Sequence, residues 1–184
     1  MLARTTLLAA LALALASCAG RMPTDRIDPA FEAPYTLDAG DKLRVVVFGQ
    51  DGLTNSYAVD SAGKITMPLI GGVEARGKTT SELSGAIVAR LKGGYIREPH
   101  VAVEVESYRP FFILGEVTNS GQYAYVNGLT VESAVAVAGG FSPRALKTGA
   151  SVARIVDGRT VHAFVPLSYP LRPGDTITVE ERWL

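Results

Sequence analysis

The chain has 184 residues, 18 basic and 18 acidic side chains, two histidines and a single cysteine. This neutral balance argues against a nucleic-acid-binding protein, which carries a basic patch or stripe for the phosphate backbone. The cysteine and histidine counts exclude an internal disulfide and a cysteine-rich zinc or redox site. The length suffices for one ordinary domain or two small ones.

The first 18 residues have the pattern of an export signal that ends in a cysteine. Arg4 precedes an apolar segment that is shorter than the roughly 20 residues needed to span a bilayer. The segment ends in Leu15-Ala16-Ser17-Cys18, which resembles the lipobox of bacterial lipoproteins. The resemblance implies cleavage between Ser17 and Cys18, a diacylglyceryl group on the Cys18 thiol and an N-acyl group on its new amino terminus. The competing interpretation is an ordinary secretory signal with an unmodified cysteine.

Three acyl chains on Cys18 would fasten the mature protein to a membrane surface. Each buried methylene contributes about 0.8 kcal/mol, and stable anchoring takes more than one chain. Ala19 follows the cysteine, where an aspartate is typical of lipoproteins retained at the inner membrane, so the resemblance implies the outer membrane, facing the periplasm. We assign residues 1–17 to the signal peptide. Residues 18–34, with three prolines and no apolar periodicity, are assigned to the acylated N-terminus and a tether.

Residues 35–107 predict a small sheet with one packed helix. Apolar side chains at every second position of residues 43–47 predict a strand. Two further short segments flank the turn Ser61-Ala62-Gly63 and predict a hairpin. Thr79 and Glu82 have the spacing of a capping box, so a helix is expected to begin there, with one apolar residue in every four facing the sheet.

Residues 108–184 predict a second sheet with one short helix and a C-terminal strand. The apolar segment 111–117 predicts a buried strand, and the chain returns after a turn at Asn119-Ser120-Gly121. Thr130 is positioned to cap a helix that ends at Gly139-Gly140. Asp157-Gly158 lies between two alternating segments and predicts a hairpin. The expected fold class is α+β, with two small domains that are each a mostly β sheet with one packed helix.

A seven-residue pattern, Tyr-x-Leu-x-x-Gly-Asp, opens the first domain and recurs near the end of the second. It contains Gly40-Asp41 in the first occurrence and Gly174-Asp175 in the second. Two occurrences are too few for a solenoid, which takes three or more. The two aspartates could be interpreted as a catalytic pair. We favour the interpretation that each aspartate caps its turn and each glycine supplies the tight backbone.

Taken in order, these segments resemble the polysaccharide export proteins, the Wza-type family of outer-membrane lipoproteins. The first domain is similar to the polysaccharide export domain of that family, from Tyr35-x-Leu37-x-x-Gly40-Asp41 to the strand after Pro99. The second is similar to a soluble ligand-binding β-grasp (SLBB) domain. The residues that carry this second likeness are Gly115, Glu116, Gly121, Gly139 and Gly140. Each motif is weak alone, but their order and spacing behind a lipobox make the combination specific.

The resemblance implies a non-catalytic component of a capsule or exopolysaccharide export machine. Family members form homo-oligomeric rings, commonly octamers, around a passage for the glycan polymer. They work with an inner-membrane polysaccharide co-polymerase and often its tyrosine kinase. This sequence departs from the best-known member because no amphipathic helix of spanning length follows Asp175. Backbone polar groups must be satisfied inside a bilayer, so we expect a separate outer-membrane β-barrel to complete the conduit.

Two other function classes compete with export. One is a monomeric periplasmic lipoprotein that binds a sugar or small ligand, although the sequence shows no aromatic cluster: Trp183 is the single tryptophan, and Tyr123 and Tyr125 alternate on one strand. The other is an enzyme, which would need a nucleophile beside a base. Ser151 and His162 are available, but no nucleophile motif surrounds them. We therefore predict no catalytic residue, cofactor or metal site.

Overall fold

The structure, a computed structural model, describes residues 34–156 and 158–182. Ser17, Cys18, Trp183 and the signal peptide lie outside the described residues. Strands dominate the described part and two helices accompany them, which confirms the α+β prediction. The ten strands are β1 (Lys42–Val47), β2 (Asn55–Ala58), β3 (Lys64–Met67), β4 (Gly71–Glu74), β5 (Val101–Ser107), β6 (Phe111–Gly115), β7 (Gly121–Tyr123), β8 (Gly149–Val156), β9 (Arg159–Pro166) and β10 (Thr176–Val179). The helices are α1 (Thr80–Lys92) and α2 (Val131–Val137).

The first sheet has three antiparallel strands in the order β2-β1-β5. The central strand β1 buries every second side chain, Leu43, Val45 and Val47, as its alternation predicts. A separate two-stranded ribbon, β3-β4, adds Ile65 and Val73 to the same core. This first hydrophobic core therefore combines two sheets rather than one.

The predicted hairpin around Ser61-Ala62-Gly63 is wrong. β2 pairs with β1 and β3 pairs with β4, so the two strands that the turn connects belong to different sheets. The turn itself closes, because the amide of Asp60 donates to the carbonyl of Lys64 at 2.9 Å. Alternation identifies a strand but does not identify its ladder partner, which depends on contacts distant in sequence.

Helix α1 begins at the predicted capping box and packs on the first sheet. The Thr79 amide donates to the Glu82 carboxylate at 2.8 Å, and the Glu82 amide donates to the Thr79 hydroxyl at 3.2 Å. The Ser84 hydroxyl donates to the Val101 carbonyl of β5 at 2.7 Å, which fixes the helix against that strand. The three side chains that face the core are fully buried: Leu83, Ile87 and Leu91.

The second sheet is mixed and has five strands in the order β7-β6-β10-β8-β9. β10 runs parallel to β6 and antiparallel to β8, so the last strand of the chain occupies the centre of the sheet. β8 and β9 pair over their full length, which confirms the predicted hairpin, although its Asp157 lies outside the described residues. Thr130 caps helix α2, as predicted, and the helix packs Val131, Ala134 and Val135 into a second hydrophobic core.

The apolar segment 111–117 is buried on one face only, contrary to the prediction. Phe111 and Ile113 of β6 point into the second core and are fully buried. Phe112 and Leu114 point to the other face and are 40% and 46% exposed. Ile155 of β8 is 63% exposed. A run of apolar residues does not distinguish a strand buried on both faces from one whose second face is an apolar surface.

We expect Gly115→Ala to destabilise the second sheet. Gly115 has a φ of 82°, and a β-carbon there would lie 2.1 Å from the carbonyl oxygen of Val179 in β10. A left-handed non-glycine residue costs about 1–3 kcal/mol, and the clash adds to that cost. Urea unfolding of the purified full chain measures the loss.

Gly121→Ala is the matched control for this substitution. The atom nearest to its added β-carbon is in the Tyr123 ring at 4.0 Å, so the new methyl group meets only an ordinary contact. A change within about 0.5 kcal/mol is expected there. Equal losses in the two variants would contradict the crowding at Gly115.

Candidate functional site at the junction of the two repeats

The two Tyr-x-Leu-x-x-Gly-Asp repeats fold into the same turn. In each repeat the aspartate carboxylate accepts a hydrogen bond from the main-chain amide three residues earlier. The Asp38 amide donates to Asp41 at 2.9 Å, and the Arg172 amide donates to Asp175 at 2.7 Å. Both aspartates are fully buried. The repeat in the sequence therefore corresponds to a repeated local structure, one copy at the edge of each core.

Asp41 joins the first core to the segment that leads into the second. Arg109 lies in that segment, between β5 and β6. Its amide donates to Asp41 Oδ1 at 2.9 Å and its guanidinium donates to Oδ2 at 3.1 Å. The Tyr35 hydroxyl also donates to Asp41, and Arg109 Cζ lies 5.3 Å from the centroid of the Tyr35 ring. Burial and the hydrogen bond to Asp41 raise the pKa of Tyr35, so its hydroxyl remains a donor at neutral pH.

Asp175 has an equivalent set of partners in the second core. Arg154 donates to both carboxylate oxygens, from Nε at 2.8 Å and from Nη2 at 2.7 Å, which forms a bidentate pair. Arg154 Cζ lies 5.9 Å from the ring centroid of Tyr169, the tyrosine of the second repeat. Burial alone would lower the pKa of Arg154, but the hydrogen bond and charge of Asp175 raise it above its ordinary value. Each repeat thus supplies a tyrosine and an aspartate to a cluster that an arginine completes.

Arg109 also contacts the turn of the second repeat. A β-carbon on Gly174 would lie 2.6 Å from Arg109 Nε, and one on Gly40 would lie 3.4 Å from Arg109 Cβ. Both glycines have positive φ, 93° at Gly40 and 83° at Gly174, which other residues rarely adopt. The Arg109 side chain therefore lies between the two glycine turns and brings the repeats together.

The carboxylates of Asp41 and Asp175 have no oxygen left for catalysis. Each oxygen accepts at least one of the hydrogen bonds described above, and neither side chain is exposed. This geometry is that of turn-capping, charge-paired aspartates. A general acid or base needs to reach substrate, and these buried groups do not.

Four tyrosines line a pocket of about 540 Å³ beside this junction. The Tyr108 ring lies edge-on to the Tyr35 ring with centroids 5.5 Å apart, and to the Tyr125 ring with centroids 5.4 Å apart. Tyr169 of the second repeat completes the set. The prediction that the chain has no aromatic cluster is therefore wrong. These tyrosines are far apart in the sequence, and they lie together because the two repeats meet.

Hydrogen bonds hold two of these rings in place. The Tyr35 hydroxyl donates to Asp41, and the Tyr125 hydroxyl donates to the main-chain carbonyl of Leu171 at 3.0 Å. Burial raises the pKa of Tyr125, and the neighbouring Tyr108 adds to that shift, so Tyr125 is protonated at neutral pH. The aromatic wall of the pocket is thus preorganised by contacts within the protein.

Four arginines line a second cavity, of about 440 Å³, at the same junction. Three of them are paired: Arg76 with Asp38 at 2.7 Å, and Arg109 and Arg154 with the two repeat aspartates. The fourth is Arg172. Among the described residues, no hydrogen bond or ion pair engages its guanidinium. Burial, and then the positive charge of Arg154, lower the pKa of Arg172. Arg172 lines the tyrosine pocket as well, so it is shared by both cavities.

The other motif residues of the second domain line neither cavity. Glu116 accepts a hydrogen bond from the Ser142 hydroxyl and lies 3.4 Å from Arg144 Nη2. The Thr118 hydroxyl donates to the Gly139 carbonyl at 2.9 Å, close to the end of helix α2. These contacts attach the loop after β6 to the end of the helix. The motif residues outside both cavities are Gly115, Glu116, Gly121, Gly139 and Gly140.

Ser151 and His162 lie on the same face of the β8–β9 ladder, two residues apart in register, but the Ser151 hydroxyl is hydrogen-bonded to a different residue. The Ser151 hydroxyl donates to Glu180 at 2.6 Å, and His162 lies opposite Ala153 in the β8–β9 ladder. Within residues 34–156 and 158–182, no three histidine, cysteine or acidic side chains are grouped to hold a metal ion. In the same part of the chain, no helix has the length and apolarity needed to cross a membrane.

Sequence reasoning missed the residues that build the junction. Arg154 could have been identified from the alternation of β8, which places it on the inward face with Ala150 and Val152. A cation on that face requires a buried acidic partner. Arg172 occupies the repeat position that Asp38 holds in the first copy, a difference that superimposing the repeats reveals. Tyr108 and Arg109 lie in a connecting segment with no periodicity, so nothing local distinguished them.

The fold and this junction define a two-core α+β protein with a repeated turn, and comparison with known proteins identifies its family. Residues 29–106 match the family described as polysaccharide biosynthesis/export protein. The exopolysaccharide production protein ExoF of Rhizobium meliloti (strain 1021) is 36% identical, over 74% of this chain and 33% of its own length. The polysialic acid transport protein KpsD of Escherichia coli is 27% identical, over 61% of this chain and 21% of its own length. The chain belongs to the polysaccharide biosynthesis/export family, which confirms the predicted resemblance. It spans about a third of the length of ExoF and about a fifth of the length of KpsD.

We expect Arg154→Met to destabilise the full chain by about 3–5 kcal/mol, which is the typical cost of removing one partner of a buried ion pair and leaving the other charge uncompensated. The substitution leaves the Asp175 carboxylate buried with the Arg172 amide as its remaining donor. Chemical denaturation gives the change. Arg144→Met is the control, because Arg144 pairs with Glu116 and Glu181 while 71% of its side chain is exposed. Its loss should cost about 0–1 kcal/mol. A small effect at Arg154 would contradict the stabilising role of the buried pair.

Proposed function

We propose that this chain is a non-catalytic component of a machine that exports a capsular or extracellular polysaccharide. The observation that carries the proposal is the family match of residues 29–106, together with relatives named for exopolysaccharide production and polysialic acid transport. The Ser151 hydroxyl donates to Glu180 and not to His162, its diagonal neighbour in the β8–β9 ladder, which favours a transport role over nucleophilic catalysis.

Within this proposal, residues 35–107 are the polysaccharide export domain and residues 108–184 are an SLBB β-grasp domain. The two hydrophobic clusters support this division, since one draws its buried residues from Leu37 to Leu91 and the other from Phe111 to Val179. The lipobox supports acylation at Cys18, with the domains held at the outer membrane by residues 18–34 and facing the periplasm.

We further propose that copies of the chain assemble into a periplasmic ring, as its family resemblance implies. The exposed apolar face of the second sheet supports self-association, because Phe112, Leu114 and Ile155 would be removed from water in a contact. The remaining proposed partners are an inner-membrane co-polymerase with its tyrosine kinase, a separate outer-membrane β-barrel and the glycan polymer in transit. Weak, repeated contacts with the polymer would suit transit, because tight binding would stall it.

A monomeric periplasmic lipoprotein that binds a sugar or small ligand is the second candidate. The pocket lined by four tyrosines favours it, since ligand sites are concave, largely apolar and aromatic, with a few placed polar groups. The two candidates differ in cells, because loss of a binding protein would leave surface polymer in place whereas loss of an export component would not.

Deletion of the gene in the producing bacterium is expected to abolish surface polysaccharide while synthesis of repeat units continues. Immunoblots or dye binding of washed cells measure surface polymer, and the wild-type gene on a plasmid should restore it. Normal surface polymer in the deletion strain would contradict the export role.

A plasmid carrying Cys18→Ser tests the anchor separately. Mass spectrometry of the N-terminal peptide should show the acyl groups in the wild type and none in the variant, and a wild-type protein with an unmodified Cys18 would contradict anchoring there.

A further inference from the structure

We propose that the tyrosine pocket at the repeat junction is a binding site for an acidic saccharide, with the sugar ring against the tyrosines and its carboxylate on Arg172. The proposal rests on the proposed export function for the source of the ligand, which would be a segment of the polymer in transit. The motif residues of the second domain do not point to this pocket, since Gly115, Glu116, Gly121, Gly139 and Gly140 line neither cavity.

The aromatic wall fits the chemistry of a sugar ring. A pyranose has an apolar face of C–H groups and a rim of hydroxyls, and the electron-rich face of an aromatic ring attracts such C–H groups. The pocket of about 540 Å³ is within the range of about 300–1,000 Å³ that small-ligand sites occupy. The rings of Tyr35 and Tyr125 are already fixed by their hydroxyl groups, so little ordering entropy is lost when a ligand binds.

The charge of the pocket selects an anion. Among the described residues that line it, Arg172 is the one charged side chain, and no acidic residue faces the cavity. The equivalent residue of the first repeat is Asp38, which an arginine already neutralises at 2.7 Å. The guanidinium of Arg172 has no such partner among residues 34–156 and 158–182, and it is half-buried beside Arg154. A carboxylate would give Arg172 a bidentate partner and offset the repulsion between the two neighbouring guanidinium groups.

The rim supplies groups for the sugar hydroxyls. Asn127 lines the pocket and is exposed, so its amide offers both donors and an acceptor to a ligand. Pro170 and Pro173 border the loop that carries Arg172 and restrict its backbone. The site therefore combines a rigid aromatic surface, one cation and one adaptable amide, a composition that suits an acidic sugar better than a neutral or a purely apolar ligand.

Binding of defined oligosaccharides to the purified full chain tests the proposal. The probes are 1,4-linked tetramers of glucuronic acid and of galacturonic acid, with the glucose and galactose tetramers as neutral counterparts, measured by titration calorimetry. At least one acidic tetramer should bind about tenfold more tightly than its neutral counterpart, because only the acidic sugar offers a carboxylate for a charge-assisted hydrogen bond with Arg172. This preference should weaken at about 0.5 M salt.

Variants separate the two halves of the site. Arg172→Gln keeps the main-chain donor to Asp175 and should remove the preference for the acidic tetramer. Arg97→Gln is the control and should leave that preference unchanged, because Arg97 is exposed and lines neither cavity. Tyr108→Leu keeps apolar contact and should weaken both tetramers about tenfold. Circular dichroism and unfolding midpoints equal to those of the wild type show that each variant is folded.

Three results would overturn the proposal: no binding of any acidic tetramer, equal affinity for acidic and neutral tetramers, or an Arg172→Gln protein that retains the preference. These results leave the export role standing if the wild-type gene still restores surface polymer to the deletion strain. Failure of that complementation, with acidic binding intact, would instead contradict the export role and leave the binding site.

Discussion

The ion pair between Asp41 and Arg109 is the constraint on which the arrangement of this protein depends. The carboxylate belongs to the first core, and the arginine belongs to the segment that enters the second. Removing such a carboxylate from water is unfavourable unless every oxygen is satisfied, and Asp41 meets this condition only when Tyr35, Arg109 and the Asp38 amide converge on it. The buried charge therefore specifies one position for the connecting segment, where an apolar contact would tolerate many.

The two cavities follow from that position. Because Arg109 lies between the two glycine turns, the tyrosines that begin the repeats come near the tyrosines of the connecting segment and of the loop after β7. The arginines that pair with the repeat aspartates then form the wall of the second cavity. The same turn that satisfies a buried aspartate thus also positions the residues of the candidate site. Tyr35 belongs to both features, because its hydroxyl donates to Asp41 and its ring lines the candidate pocket.

Local patterns in the sequence predicted local structure well. The capping box at Thr79, the helix cap at Thr130, the alternation in β1 and the β8–β9 hairpin are all present, since each depends on residues a few positions apart. Pairing between distant segments was not predictable in this way, which is why β3 was assigned the wrong partner and the exposed face of β6 was missed. The tyrosine pocket was missed for the same reason. Its members are separated by long stretches of chain and share no period, and only the repeated Tyr-x-Leu-x-x-Gly-Asp pattern hinted that two of them are equivalent.

A double-mutant cycle between Asp41 and Arg109 tests most directly whether this ion pair is the organising contact. The unfolding free energies of Asp41→Asn, Arg109→Met and the double variant are compared with that of the wild type. Residues that share a buried network typically show interaction energies of about 0.5–3 kcal/mol, and we expect a value in the upper half of that range. An interaction energy within about 0.3 kcal/mol of zero would mean that the two side chains contribute independently and that their ion pair does not organise the junction.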